Sequence, residues 1–119
     1  MGTAEYLCYD EKIDHLTIHK ADEKIVSSID TGLAVLSLND KKEIVGIEFM
    51  GMQKNFGVQL DALKNIQRCT VDVRYDPAKK LLILNVHLRY HKEETPIVCS
   101  YEHVDLGERA FRENFACSI

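Results

Sequence analysis

Alternation of apolar and polar residues is the dominant pattern along this chain. It runs through Ile13–His19 and returns over residues 69–75 and in the later part of a strand-like run over residues 80–91. Strict alternation is typical of a β-strand that buries one face. Short polar segments such as Asp10–Lys12 and Asp76–Lys79 separate these runs. Because parallel strands need long crossover connections, turns this short favour antiparallel pairing.

Two other segments carry apolar residues at helical spacing instead. The first lies near residues 58–67, and the second covers Leu106–Phe115. Apolar positions three and four residues apart form one face of an α-helix. The pattern therefore predicts an α+β fold: a mainly antiparallel β-sheet of about seven strands, one mid-chain helix and a C-terminal helix.

A spaced similarity links the two halves of the chain. Tyr9-Asp10 and Tyr75-Asp76 are 66 residues apart, and the same offset relates Leu16-x-Ile18 to Leu82-x-Leu84. A degenerate duplication would explain this offset. Turn chemistry would explain it as well, since Asp favours the first position of turns. We therefore expect a single domain over residues 1–119, with β-rich halves near 5–56 and 69–105 that could be related, bridged by the helix near 58–67.

Two motifs of the first half resemble a known family. The chain reads Tyr9-Asp10-x-x-x-Asp14-x-Leu16-x-Ile18 and later Ile44-Val45-Gly46-Ile47-Glu48. Over roughly residues 6–52 this is similar to the prokaryotic family called Domain of Unknown Function 2283. It departs from that family at His15, Thr17 and Lys42-Glu43. The family has no established activity, so the resemblance implies a fold and a cytosolic, prokaryotic origin.

Charge and hydropathy exclude some classes of partner. The chain has 15 basic and 19 acidic residues and a formal net charge of −4. Its lysines are spread among acids and form no basic stripe, which argues against nucleic-acid binding. No segment approaches the roughly 20 apolar residues of a transmembrane helix. We expect no membrane partner and a cytoplasmic location.

The four cysteines show no metal-binding or redox spacing. Cys8, Cys69, Cys99 and Cys117 form no C-x-x-C pair, as zinc sites and thioredoxin-like motifs require. The first three lie in strand-like runs, where a free cysteine behaves as a small buried hydrophobe. We therefore expect these three to be buried thiols and Cys117 to be the accessible one.

The first half contains candidates for metal binding and for acid–base chemistry. His15 and His19 fall on one strand face close to Asp14, and imidazole and carboxylate are common ligands of divalent metals. Glu48 lies between apolar neighbours, and burial would raise its pKa and suit it to proton transfer. A solvated strand face would produce both patterns without any function.

A second set of candidates points to a surface for a ligand or partner. His87, Arg89 and His91 alternate along one strand, and such a face could hold an anion or a partner's carboxylate. The exposed side of a half-buried strand would look the same. Glu11 in the first acid-rich turn and Glu48 complete this set of possible contact residues.

The motifs of familiar enzymes are missing from the sequence. There is no nucleophile elbow, phosphate loop, dinucleotide fingerprint or HExxH pattern, so we predict no catalytic residue and no cofactor. The leading hypothesis is a non-enzymatic protein–protein interaction or structural module that forms a homodimer, because exposed sheet edges favour pairing. Two alternatives remain. One is a metal-dependent or acid–base enzyme that uses the His15/His19 or Glu48 region. The other is an antitoxin-like module that binds a small toxin partner.

Overall fold

The structure, a computed structural model, describes residues 4–20 and 22–118. This part of the chain forms nine strands and one short helix, α1 (Leu60–Lys64), between β5 and β6. The strands, in chain order, are β1 (Ala4–Asp10), β2 (His15–Lys20), β3 (Ser27–Asp30), β4 (Ala34–Leu38), β5 (Ile44–Met50), β6 (Ile66–Asp76), β7 (Leu81–Tyr90), β8 (Glu93–Tyr101) and β9 (Phe111–Ser118).

The strands form two antiparallel sheets. The first has the order β1-β2-β5-β4-β3, and the second has the order β8-β7-β6-β9. The prediction of antiparallel pairing is confirmed, but the predicted α+β class is wrong. The described residues form nine strands and a single five-residue helix, so the fold is essentially all-β. The predicted count of about seven strands was also too low.

The mid-chain helix is shorter than its apolar spacing predicted. Only five residues are helical, because Asn65 ends the helix and Ile66 already belongs to β6. The Asn65 side chain donates a hydrogen bond to the Asp61 carbonyl oxygen at 2.7 Å. Such a bond gives a carbonyl of the last helical turn a partner and stabilises the end of the helix at this position. The segment near 58–67 thus contributes one turn and the start of a long strand.

The predicted C-terminal helix over Leu106–Phe115 is replaced by a loop and a strand. Gly107 adopts a left-handed φ of 101° in the loop, and β9 then pairs with β6 from Phe111 opposite Tyr75 onward. The helical spacing was misleading because residues 111–115 also fit a period of two. Pairing with β6 satisfies the backbone groups of both strands, and a local pattern cannot reveal that tertiary gain.

The inner faces of both sheets enclose one core. The first sheet contributes alternate residues of its central strands, including Leu16, Ile47 and Phe49, and the second contributes Val71 and Leu84 in the same way. All five are almost fully buried. The polar residues between them therefore form two outer faces, one on each sheet. Along one side of the molecule β1 lies next to β9.

The two Tyr-Asp turns have the same hydrogen bonding. The Asp10 carboxylate accepts the backbone N–H of Lys12 at 3.0 Å, and the Asp76 carboxylate accepts that of Ala78 at 3.0 Å. Each turn spans four residues between paired strands. This local bond explains why both turns begin with aspartate.

The similarity continues at the end of each turn. Asp14 and Lys80, which are 66 residues apart, both have a left-handed backbone, with φ values of 58° and 50°. The Asp14 carbonyl accepts the N–H of Met52 at 2.9 Å, and the Lys80 carbonyl accepts that of Val104 at 3.0 Å. Strands β1, β2 and β5 thus correspond to β6, β7 and β8. The hairpin of β3 and β4 occurs only in the first set.

Within the described residues, no helix is long and apolar enough to cross a membrane.

Candidate functional site

The outer face of the first sheet contains one histidine–carboxylate pair. His15 Nδ1 lies 3.3 Å from Glu48 Oε2, across the β2–β5 pairing. Glu48 therefore points to solvent, with a side chain 39% exposed, and does not enter the core. A surface contact of this kind contributes little to stability. The residues that suggested acid–base chemistry thus form an open surface pair.

The two candidate histidines do not converge on one metal site. His19 lies opposite Gly46, four residues along β2 from His15. At about 3.3 Å per residue, their backbones are roughly 13 Å apart, far beyond the separation of two ligands on one ion. Nowhere in residues 4–20 and 22–118 do three or more His, Cys, Asp or Glu side chains come together in an arrangement that could hold a metal.

Asp14, the third candidate ligand, is engaged in a structural network. Its carboxylate accepts the Tyr9 hydroxyl at 2.6 Å and the backbone N–H of Gln53 at 2.9 Å. Burial opposes ionisation of this group, but the hydrogen bonds from Tyr9, Lys54 and Gln53 outweigh it and lower the pKa of Asp14. Glu11, in the same turn, forms only an exposed ion pair with Lys64 at 3.9 Å.

The second sheet presents a surface that we call the arginine face. It is the outer side of β6, β7 and β9 around Arg68, Arg74, Arg89 and Arg112, which are four of the five arginines in the chain. On the described part of this outer side, the carboxylates are Asp72 and Asp76 and, on β8, Glu94. The surface therefore carries a net positive charge in a chain of net charge −4.

One end of the arginine face is neutralised by a shared carboxylate. Arg74 and Arg112 lie opposite each other on β6 and β9. Asp72 accepts Arg112 Nε at 2.9 Å and Arg74 Nε at 3.2 Å. Burial works against its charge, yet hydrogen bonds and attraction from Arg112 and then Arg74 prevail and lower the pKa of Asp72. The carboxylate thus stays ionised and holds both guanidinium groups.

The other end of the arginine face has no such neutralisation. Arg68 lies directly opposite Arg89 on the neighbouring strand, and both side chains are exposed. Among the residues that the structure describes, no carboxylate comes within 4.0 Å of either guanidinium, although Glu94 lies opposite Arg89 on β8. Like charges facing each other across two strands cost roughly 0.5–1 kcal/mol.

Two of the three predicted anion-binding residues belong to this end. His87 and Arg89 are both on the outer side of β7, where His87 lies opposite Thr70 of β6. His91 does not join them. It lies in the turn after β7 with a φ of 53°, and its Nε2 is 3.6 Å from an Asp61 oxygen. The strand ends before His91, so alternation does not extend to it.

Two exposed apolar residues lie on the outer side of the neighbouring strand β8. Val98 is 68% exposed and faces Asn85 on β7, while Pro96 lies opposite His87. Arginine is enriched in protein–protein contacts. Arginine also binds carboxylates through two parallel hydrogen bonds. The arrangement can hold an acidic group and exclude water around it.

No protein-family model, curated protein or solved structure matches this chain. The resemblance to Domain of Unknown Function 2283 therefore stays a prediction. The candidate site depends on the geometry of the chain alone.

Most of the arginine face is hidden in the sequence. The spread of basic residues predicted no basic stripe, yet pairing of β6 with β7 and β9 gathers arginines that are up to 44 positions apart in the sequence. The alternation over residues 69–75 could have placed Asp72 and Arg74 on the outer side. Arg112 was hidden by the prediction of a helix for its segment.

The prediction for the cysteines was partly wrong. Cys69 and Cys99 are buried, as expected, but Cys8 is exposed. It lies opposite Thr17, on the outer face of the first sheet, because the inner positions of β1 belong to Leu7 and Tyr9. The side chain of Cys117 lies outside the part of the chain that the structure describes.

Proposed function

We propose that this protein is a non-enzymatic interaction module whose arginine face binds an acidic segment of a partner protein. The observation that carries this proposal is the Arg68–Arg89 pair, which faces solvent and, among the described residues, has no carboxylate within 4.0 Å of either guanidinium. Arrangements that cost stability and offer strong donors are frequent at binding sites. A carboxylate placed between the two guanidinium groups would turn repulsion into two charge-assisted contacts.

The chemistry of the face favours a protein over a nucleic acid. Single-stranded nucleic acids bind to surfaces where bases stack on aromatic rings, and the described outer positions of this sheet include no Phe, Tyr or Trp. Exposed Val98 and Pro96 instead suit aliphatic side chains of a peptide. The acidic net charge of the chain also opposes a long polyanion.

The proposal is tested with a labelled peptide rich in glutamate and leucine. Fluorescence anisotropy would compare the natural protein with the double variant Arg68→Ser/Arg89→Ser. Loss of two guanidinium contacts should weaken binding at least about tenfold, and added salt should weaken binding to the natural protein. The matched control is Lys12→Ser/Lys92→Ser, which removes the same charge from two exposed turns and should change the affinity less than about twofold.

Three outcomes would contradict the proposal. The first is absence of measurable binding to the natural protein, and the second is equal loss in the lysine control. The third is tighter binding of a single-stranded oligonucleotide than of the acidic peptide, which would assign the arginine face to nucleic acid. Urea unfolding of both double variants shows whether any loss reflects the fold, since neither is expected to reduce stability.

A further inference from the structure

Strand β3, which is four residues long, is an outer edge of the first sheet. The two sheets end in β1, β3, β8 and β9, and β1 lies beside β9. Edge β8 contains Pro96, which offers no N–H, and begins with two glutamates. Strand β3 has no proline and no bulge in its pairing with β4, and its residues are mostly exposed.

The segment that leads into β3 is apolar and exposed. Ile25 is 48% exposed and Val26 is 58% exposed, directly before Ser27. An exposed apolar edge strand is the usual template for pairing with another chain. In the first sheet this edge comes from the β3–β4 hairpin, which the corresponding β6–β7–β8 set lacks.

Backbone groups of β3 are directed away from the sheet. The Thr31 N–H donates to the Ala34 carbonyl at 2.8 Å and closes the hairpin with β4. Hydrogen-bonded and non-hydrogen-bonded pairs alternate in antiparallel strands, so Ser28 and Asp30 fall at positions whose N–H and C=O groups point outward. Val26 uses its N–H on Leu38, which leaves its carbonyl for an external donor.

The sequence of this edge is complementary to itself. It reads Lys24-Ile25-Val26-Ser27-Ser28-Ile29-Asp30. If two copies pair antiparallel about Ser27, each Lys24 lies opposite Asp30 of the other copy, and each Ile25 lies opposite Ile29. In this register the outward N–H of Ser28 can donate to the carbonyl of Val26 in the other copy. If the two-fold axis moved by one residue to Ser28, Val26 would lie opposite Asp30. Both Lys24–Asp30 pairs would then be lost.

We propose that segment 24–30, which contains β3, pairs with the same segment of a second copy of this chain, two-fold symmetric about Ser27, to form one continuous sheet of twice five strands. The Lys24–Asp30 pairs select the register, and Ile25 extends the apolar inner face beside Ile29. Such an isologous contact closes on itself and leaves no free β3 edge. The contact is separate from the arginine face, so either can fail without the other.

Charge exchange across the interface provides the sharpest test. Sedimentation equilibrium at micromolar concentrations should show a dimer for the natural chain. Lys24→Glu and Asp30→Lys should each weaken self-association at least about tenfold, because each creates two like-charge pairs. An equimolar mixture of these two variants should associate again, because each mixed pair has one Glu–Lys and one Lys–Asp contact. The double exchange Lys24→Glu/Asp30→Lys should also dimerise.

Controls separate the interface from the fold. Lys12→Glu makes the same charge change in an exposed turn and should leave the dimer intact. Ser28→Pro removes an outward N–H and should give a folded monomer by circular dichroism. A natural chain that stays monomeric, single variants that dimerise like the natural chain, or a mixture that fails to associate would each overturn the proposal.

Discussion

Replacing Asp14 by alanine should destabilise the protein far more than the same change at Lys80. Both positions have a left-handed backbone, which Asp tolerates better than Lys or Ala, so Asp14→Ala loses this tolerance and Lys80→Ala does not. Asp14 also accepts side-chain bonds from the Tyr9 hydroxyl at 2.6 Å and the Gln53 N–H at 2.9 Å. At about 1 kcal/mol each, these bonds alone make the two variants differ by about 2 kcal/mol.

Urea unfolding followed by circular dichroism measures this difference. A chain of this size has a slope of about 1.5 kcal/mol per molar urea, so Asp14→Ala should unfold at a midpoint about 1.3 M lower than Lys80→Ala. Asp14→Asn keeps the tolerance for a left-handed backbone and should fall between Asp14→Ala and the natural chain. Equal midpoints for the two alanine variants would refute the assignment of the stability to the carboxylate network.

The pH dependence adds a second check on the same variant. Because the folded pKa of Asp14 is lowered, its contribution is complete above its unfolded pKa of about 3.9 and is lost as the pH falls through the folded value. The difference in free energy of unfolding between the natural protein and Asp14→Ala should therefore shrink below about pH 4. The corresponding difference for Lys80→Ala should stay constant. A difference for Asp14→Ala that persists at low pH would contradict the role of the charge.

Three further outcomes follow from the packing and the charges. Gly46→Ala should cost about 1 kcal/mol, since the new Cβ would lie 2.9 Å from His19 Cδ2, and His19→Ala in the same chain should recover most of the loss in urea unfolding. A thiol reagent should label Cys8 at once in the native protein, while Cys69 should react only on unfolding; equal rates would disprove the burial. Asp72→Asn should destabilise the chain by about 1 kcal/mol at pH 7. Because the pKa of Asp72 is lowered in the folded state, this loss should become smaller as the pH falls below about 4. Calorimetric unfolding of both proteins across this pH range measures the loss.

Local patterns predicted the strands better than their assembly. Alternation identified β2, β6 and β7, and it placed His87 and Arg89 on an exposed face. Strand β9 was predicted as helix because its identity depends on pairing with β6, which is distant in sequence. The Arg68–Arg89 pair was missed for the same reason, since register between strands decides which side chains meet.

The spaced Tyr-Asp similarity gained geometric support. Leu16 lies opposite Phe49 in the β2–β5 pairing, and Leu82 lies opposite Tyr101 in the β7–β8 pairing. The carbonyl contacts of Asp14 and Lys80 fit this same alignment. We propose that β1–β2–β5 and β6–β7–β8 are copies of one unit, and that the first copy carries the β3–β4 hairpin as an addition.

The connections between strands set an order of folding. Strands β6, β7 and β8 are joined by two short turns, so their pairing closes small loops at low entropic cost. Pairing of β9 with β6 must enclose residues 77–110, and pairing of β5 with β2 must enclose the β3–β4 hairpin. We therefore expect the β6–β7–β8 meander to form early and β9 to dock late. Arg68 and Arg89 would then already face each other in the earliest folded part, before Arg112 arrives to share Asp72 and complete the positively charged surface.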